Sequence, residues 1–189
     1  MKEFPLKQLL QLTCLNKRIL IMSKNNLDLL TYFFATGGGI GKLPVAPGTW
    51  ASMVALPIAG ILHLLGGPWL LSISIVIIFL IGIWSSNKYA SLIEQKDPGS
   101  VVIDEFCGQW LAILPIAMDW RYYFIAFVIF RIADILKPWP CKNAERIPGG
   151  MGIMLDDICA GIYAGVFTLM IATWLGTEQT LPSLFTFLE

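Results

Sequence analysis

Residues 130–161, FRIADILKPWPCKNAERIPGGMGIMLDDICAG, decide the fold because they place a dense polar segment between two apolar runs. The charged residues of this segment are Arg131, Asp134, Lys137, Lys142, Glu145, Arg146, Asp156 and Asp157. A carboxylate in a low-dielectric setting is costly unless it is paired or holds a cation. The pattern therefore indicates a functional site at the ends of apolar helices.

The composition indicates a membrane protein. Of the 189 residues, 56% are hydrophobic and 14% are charged, and the mean hydropathy is +0.70, which is high for a soluble domain. We predict an all-α, membrane-associated helical bundle of four to five short apolar helices over residues 26–176. Residues 1–25 are an N-terminal extension in which leucines and lysines follow an amphipathic pattern, and residues 177–189 are a tail.

Charge and cysteine content exclude several classes of protein. The formal net charge is zero, so no global field recruits nucleic acid, and we exclude nucleic acid as a partner. The four cysteines form no CxxC pair, and His63 is the single histidine. Neither a zinc site nor a disulfide framework is indicated.

Apolar runs predict the helices and their topology. Ala51–Leu65 and Trp69–Trp84, joined by Gly66-Gly67-Pro68, predict a hairpin, and further helices are expected at Phe106–Met118, Tyr122–Ile135 and Ile158–Leu175. The first two runs are short, roughly 22 Å as helix against a hydrocarbon core of about 30 Å. These two helices either cross the membrane, enter only one leaflet or pack inside a helical bundle. With five crossings, the distribution of basic residues places the polar motifs on the cytoplasmic face.

A glycine-rich segment precedes the first apolar run. Residues 31–50, TYFFATGGGIGKLPVAPGTW, indicate an ordered loop whose backbone N–H groups suit an anion, although a turn without a ligand is an equal alternative. The segment matches neither the P-loop pattern nor the dinucleotide-binding pattern. From this segment Gly39, Gly41, Lys42 and Thr49 are predicted to bind substrate phosphate.

Acidic residues recur where apolar runs begin or end. Hard oxygen ligands in this number suit Mg²⁺. The predicted catalytic residues and metal ligands are Asp104, Glu105, Asp134, Asp156 and Asp157. Arg131 and Lys137, three residues on either side of Asp134, are predicted to bind phosphate. Salt bridges, helix capping and glycine-mediated helix packing are the structural alternatives for these residues.

Elimination narrows the chemistry of a phosphatase. One histidine is too few for a two-histidine phosphohistidine mechanism, and the chain contains neither a CxxxxxR motif nor a DxD motif. Hydrolysis of a phosphate ester by this chain would therefore use water activated on a metal ion.

Four segments resemble one family. FATGGGIGKLPVAPGTWASM (34–53), DPGSVVIDEFCGQW (97–110), FRIADILKPWP (130–140) and GGMGIMLDDICAGIYAG (149–165) are similar to the signature segments of the phosphatidylglycerophosphatase A family, in that family's order. The resemblance implies a Mg²⁺-dependent enzyme of phospholipid biosynthesis in the bacterial inner membrane. Its phospholipid substrate, phosphatidylglycerophosphate, would yield phosphatidylglycerol and inorganic phosphate.

Two rival functions remain open. A small ion-coupled transporter would use the acidic residues as a cation path, although acids at helix starts fit an interfacial site better than a midplane path. A lipid phosphotransferase that uses a CDP-alcohol would carry a DxxDGxxAR motif, which is missing here.

Overall fold

The computed structural model describes residues 26–175, and the predicted extension and tail lie outside them. Within this range the chain is helical and contains no strand. Its elements are α1 (Asn26–Ala35), a 3₁₀ turn (Ile40–Lys42), α2 (Pro47–Ile93), α3 (Ile103–Ile113), α4 (Trp120–Leu136), α5 (Cys141–Ala144) and α6 (Gly150–Trp174). The predicted all-α fold is confirmed.

Helix α2 consists of two arms that meet at the predicted turn. Gly66 (φ −153°, ψ 20°) and Gly67 (φ 61°, ψ −160°) leave the helical region and separate residues 47–65 from residues 68–93. The arms are longer than the predicted apolar runs, at about 19 and 26 residues, or roughly 28 and 39 Å. The second arm continues past the apolar run to Ile93, and Ser85 and Ser86 in this extension are fully buried.

The segments of the bundle run alternately between two ends. The first arm begins near the start of α3, where the Ser52 hydroxyl donates to Glu105. It ends near the start of α4, where His63 Nδ1 lies 3.5 Å from Tyr123 Oη. The second arm returns, because Gly82 meets Met154 near the start of α6. We call the end that holds the starts of α3 and α6 the polar end, and the other the opposite end.

Helix α3 lies in the middle of the bundle. Nine of its 11 residues are buried. A Cβ added at Gly161 of α6 would overlap the carbonyl oxygen of Gly108, so the two helices approach backbone to backbone. Gly165 lies against Ala112 one turn further on, so α3 and α6 run parallel. The spacing of Gly161 and Gly165 by four residues therefore lets α3 and α6 pack closely. Glycine-mediated helix packing is one of the alternatives that the sequence leaves open.

Two local predictions differ from the structure. Helix α6 begins at Gly150 rather than at Ile158, so Asp156 and Asp157 lie in its second turn instead of opening it. Gly150 and Gly152 are therefore part of the helix, and a Cβ at Gly152 would overlap the carbonyl oxygen of Ile147. The spacing of Arg131, Asp134 and Lys137 by three residues predicts that they share one face of a helix, but Lys137 follows the end of α4 with φ 45° and so leaves that face.

Helices α2 and α6 are long and apolar enough to cross a membrane, judged by length and composition. Large apolar side chains remain exposed on the bundle surface, including Leu65 at 75%, Leu80 at 60% and Met170 at 59%. A surface of this kind indicates membrane association, because it has no favourable contact with water.

Candidate active site

A polar cavity of about 150 Å³ lies at the polar end of the bundle. All five predicted acids line it, together with one predicted phosphate-binding residue: Asp104, Glu105, Asp134, Asp156, Asp157 and Lys137. They come from the starts of α3 and α6 and the end of α4, so three separate sequence motifs meet in one place.

Three of these acids form a tight cluster. One carboxylate oxygen from each of Glu105, Asp134 and Asp157 lies within 4.8 Å of the other two. Glu105 and Asp157 are buried and Asp134 is half-buried. Carboxylates packed this closely repel one another unless positive charge lies between or beside them. Three hard oxygen donors converging in a partly dry cavity fit a divalent cation such as Mg²⁺.

Helices α3 and α6 present their acid pairs in the same way. Asp104 Oδ1 accepts a hydrogen bond from the backbone N–H of Glu105, and Asp156 Oδ1 accepts one from the backbone N–H of Asp157, both at 3.0 Å. In each pair the second acid joins the cluster. The close Gly108–Gly161 contact lies one turn beyond and brings the two pairs together.

Arg131 already neutralises part of this charge. Its Nη1 atom donates to Glu105 Oε2 and lies 3.1 Å from Asp134 Oδ2. The Ser52 hydroxyl donates to the same Glu105 oxygen at 2.9 Å. Gly48 packs against the other carboxylate oxygen of Glu105, because a Cβ at Gly48 would overlap Oε1. The Glu105 carboxylate is therefore held by three residues on two helices, Gly48 and Ser52 on α2 and Arg131 on α4.

Lys137 forms a second ion pair on the cavity wall. Its Nζ donates to Asp156 Oδ2 at 2.7 Å and lies 3.4 Å from Glu145 Oε1. Burial alone would lower the pKa of Lys137, but the hydrogen bond and charge of Asp156, with the charge of Glu145, raise it overall. Lys137 is therefore protonated at neutral pH.

The glycine segment lies beside the cavity, and of its residues Gly48 lines it. Gly39, Gly41, Lys42 and Thr49 are not among the lining residues. Lys42 is exposed, and its Nζ donates to Tyr89 Oη at 2.6 Å and lies over the rings of Tyr32 and Tyr89. The Tyr89 hydroxyl lies 3.1 Å from Ser100 Oγ, which connects Lys42 to the segment that borders the cavity.

Several residues of the site carry no signal that the sequence pattern singles out. Ser52 and Gly48, which hold Glu105, lie in the quoted 34–53 segment but carry no charge to single them out. Asp97, Pro98, Gly99 and Val101 also line the cavity. The Asp-Pro-Gly turn signal at 97–99 was available, and Asp97 is an exposed carboxylate there.

Asp119 and Arg121 pair with each other away from the site. They lie 2.6 Å apart at the opposite end, beside the start of α4. Hydrogen bonds from Arg121 lower the pKa of Asp119. Burial raises the pKa of the Cys141 thiol to about 11. Cys141 is therefore a thiol at neutral pH, as expected of a residue that plays no part as a nucleophile.

Comparison with known proteins gives a consistent result. A sequence model described as phosphatidylglycerophosphatase A matches residues 33–172. The chain is 38% identical over 147 residues to phosphatidylglycerophosphatase A of Escherichia coli (strain K12), covering 76% of this chain and 84% of that protein. It is 36% identical over 146 residues to phosphatidylglycerophosphatase A of Haemophilus influenzae, covering 76% and 90%.

A third relative has a different name. A putative phosphatidylinositol-3-phosphatase of Bacteroides thetaiotaomicron is 35% identical over 153 residues, covering 77% of this chain and 95% of that protein. No solved structure matches the chain significantly.

Proposed function

This chain belongs to the phosphatidylglycerophosphatase A family and is a lipid phosphatase, and from that premise we propose that it hydrolyses phosphatidylglycerophosphate in a Mg²⁺-dependent reaction. The products are phosphatidylglycerol and inorganic phosphate. The observation that carries the proposal is the cluster of Glu105, Asp134 and Asp157 in a cavity at one end of an apolar bundle. A phosphomonoester headgroup reaches such a site while its acyl chains stay in lipid.

The three clustered acids would hold Mg²⁺. When bound, the ion would supply positive charge to the phosphate oxygens and acidify a bound water. Asp104 and Asp156, the other two acids of the predicted set, line the cavity beside the cluster. Asp156 has both oxygens engaged, with Lys137 and with the backbone of Asp157. In this scheme it mainly positions Lys137.

Asp104 is the candidate general base. Its Oδ1 accepts the backbone bond from Glu105, and within residues 26–175 no hydrogen bond to Oδ2 is seen. Asp104 lines the cavity, so Oδ2 is available to take a proton from the attacking water. A general base must lie within hydrogen-bond reach of the proton it removes, directly or through one water.

Arg131 and Lys137 would bind the phosphate that is removed. Each already lies among the acids of the cavity, and together they offset the negative charge that would otherwise repel a phosphate dianion. Positive groups in place before the reaction stabilise the charge that develops on the leaving oxygen.

Lys42 and Thr49 lie outside the cavity, and we assign them to the substrate's other phosphate. Gly39 and Gly41 also lie outside it, but their N–H groups already donate to the Thr36 carbonyl oxygen at 3.1 and 2.9 Å, so they shape the turn that carries Lys42. Phosphatidylglycerophosphate carries a phosphodiester between its two glycerol units, one glycerol away from the phosphate that leaves. Lys42 has no carboxylate partner within residues 26–175, so its charge is available to an anion.

We further propose that the bundle spans the bacterial inner membrane with its polar end in the cytoplasm. Exposed tryptophans lie at both ends: Trp50, Trp84 and Trp139 at the polar end, and Trp69, Trp120 and Trp174 at the opposite end. Two such girdles are typical of the two membrane interfaces. Among the described residues the opposite end carries one basic residue, Arg121, whereas seven lie at the polar end. This asymmetry favours a cytoplasmic polar end.

The first experiment is phosphate release by the purified protein in detergent. We expect release from phosphatidylglycerophosphate that EDTA abolishes and added Mg²⁺ restores. Phosphatidylinositol 3-phosphate, tested in parallel, should be hydrolysed more slowly if the headgroup assignment is correct. Cation flux in liposomes without any phosphate release would instead favour the transporter. Release that EDTA leaves unchanged would refute the metal site alone.

A further inference from the structure

An apolar groove of about 260 Å³ lies beside the acidic cavity. Its walls come from α1, the glycine segment, both arms of α2 and the start of α3. Every side chain that lines it is apolar, including Phe33, Val54, Ile58, Ile78, Ile103 and Phe106. The groove is therefore suited to a hydrocarbon ligand.

On two helices, residues that are close in sequence contribute to the cavity and to the groove. On α3, Asp104 and Glu105 line the cavity while Ile103 and Phe106, on either side of them, line the groove. On α2, Ser52 holds Glu105, and Val54 lies two residues further on. A ligand that fills both spaces therefore needs a polar head and an apolar extension.

The glycine segment shapes one wall of the groove. Gly37 and Gly38 have φ values of 56° and 68°, which favour glycine. A Cβ at Gly37 would lie 3.1 Å from both Phe106 and Val102, and one at Gly38 would lie 3.4 Å from Phe33. The close packing of this segment on α3 keeps the groove next to the site.

The groove opens on the surface that faces lipid. Val54 and Ile58 are each 37% exposed and Phe33 is 56% exposed, and α2 is long and apolar enough to span a membrane. Ile58 lies about two turns beyond Trp50, or roughly 12 Å along the helix axis. The groove thus runs from the membrane interface near the acidic cavity into the hydrocarbon layer of the same leaflet.

We propose that this groove binds one acyl chain of the phospholipid substrate and so fixes the depth and orientation of the headgroup in the acidic cavity. The proposal rests on the lipid phosphatase function proposed above. Apolar burial in the groove is formed before reaction and persists through it, so it contributes to substrate affinity and appears mainly in KM.

The test fills the groove and compares substrates of different chain length. Wild type and Ile58→Trp are assayed on phosphatidylglycerophosphate with two six-carbon chains and with two sixteen-carbon chains, in the same mixed micelles. We expect the ratio of kcat/KM for the long-chain over the short-chain substrate to fall about tenfold in Ile58→Trp, mainly through KM. Each methylene withdrawn from an apolar site changes affinity by roughly fourfold, so two or three methylenes suffice.

Ile61→Trp is the matched control. Ile61 lies one turn further along the same arm, is 55% exposed, and does not line the groove. Its chain-length ratio should equal that of wild type. Val54→Phe fills the groove from another position and should lower the ratio in the same direction, which covers the case that Ile58→Trp does not fold.

Two results would overturn the proposal. A wild-type ratio in both folded groove variants would show that no acyl chain occupies the groove. A lower activity on both substrates with an unchanged ratio would assign the groove to a bulk lipid or to another segment of this chain. Absence of phosphate release by wild type itself would instead refute the proposed function.

Discussion

Asp157 combines the features expected of a metal ligand more fully than any other acid on α6. It is 3% exposed, it belongs to the three-acid cluster, and its backbone carbonyl packs against Gly108. Arg131 offsets part of the charge of this cluster, but three carboxylates crowded beside one guanidinium leave net negative charge, which a bound cation would neutralise.

Asp157→Asn should lower kcat by about 100-fold or more and raise the Mg²⁺ concentration needed for half-maximal activity. Loss of a group that only orients a ligand typically costs about 10–100-fold, and removal of a ligand oxygen should cost at least as much. The measurement is phosphate release across a Mg²⁺ titration. Asp119→Asn, an acid of the opposite end, is the control and should match wild type. Near-normal turnover of Asp157→Asn with unchanged Mg²⁺ dependence would rule out the metal site.

Gly48 positions Glu105 through the absence of a side chain. A Cβ at this position would overlap Glu105 Oε1 and lie 2.8 Å from its Cδ and 3.3 Å from Arg131 Nη1. The carboxylate would have to move away from Gly48, which changes its position relative to Arg131 and to the other two acids of the cluster.

Gly48→Ala should therefore reduce kcat by roughly 10–100-fold, as expected when a group that orients a metal ligand is disturbed. Gly60→Ala, on the same arm, is the matched control because a Cβ there meets nothing within 4 Å. It should keep full activity and gain roughly 0.5–1 kcal/mol of stability from its higher helix propensity. Equal activity in the two variants would show that Glu105 tolerates displacement.

At the scale of the helix, the α3–α6 contact sets the spacing of the acid pairs. Gly161 leaves no room for a methyl group against Gly108, whereas a Cβ at Gly165 would lie 3.3 Å from Ala112 O and 3.4 Å from Pro115 Cγ. The two glycines share one face of α6 but differ in how closely α3 approaches.

Gly161→Ala should destabilise the protein by about 1–3 kcal/mol, because overpacking forces the helices apart. It should also lower kcat, since the separation of Glu105 and Asp157 increases with the separation of the helices. Gly165→Ala should be nearly neutral in both respects. Thermal unfolding in detergent and phosphate release measure the two effects. A Gly161→Ala protein as stable and active as Gly165→Ala would show that close packing does not set the site.

The helices themselves show what the sequence could and could not predict. The hairpin turn at Gly66–Gly67 and the identity of the five acids followed from local pattern, because apolar runs and isolated charges are visible residue by residue. The start of α6 did not, since the apolar run begins at Ile158, whereas the helix begins at Gly150, which packs against the Ile83 carbonyl of α2. The positions of Lys42 and Ser52 relative to the cavity also depend on tertiary contacts that periodicity does not encode.

For the whole molecule, the main consequence of the fold is that charge is confined to its ends. Within residues 26–175 the opposite end carries Asp119 and Arg121, and the other charged residues lie at or near the polar end. Between the ends, exposed apolar side chains cover α2 and α6. This layered surface is the one expected of the proposed arrangement, in which the bundle crosses the membrane.

This layering predicts accessibility from opposite sides of the membrane. Lys96→Cys at the polar end and Arg121→Cys at the opposite end are both placed at exposed positions. An impermeant maleimide should label Lys96→Cys in inside-out vesicles and Arg121→Cys in right-side-out vesicles. The labelling of the parent chain, which has four cysteines of its own, is subtracted from each value. Both variants should retain phosphatase activity, because neither residue lines the acidic cavity. Labelling of both variants from the same side would mean that the bundle lies on the membrane surface instead of crossing the membrane. The site would then take its lipid substrate from the leaflet on which the protein lies.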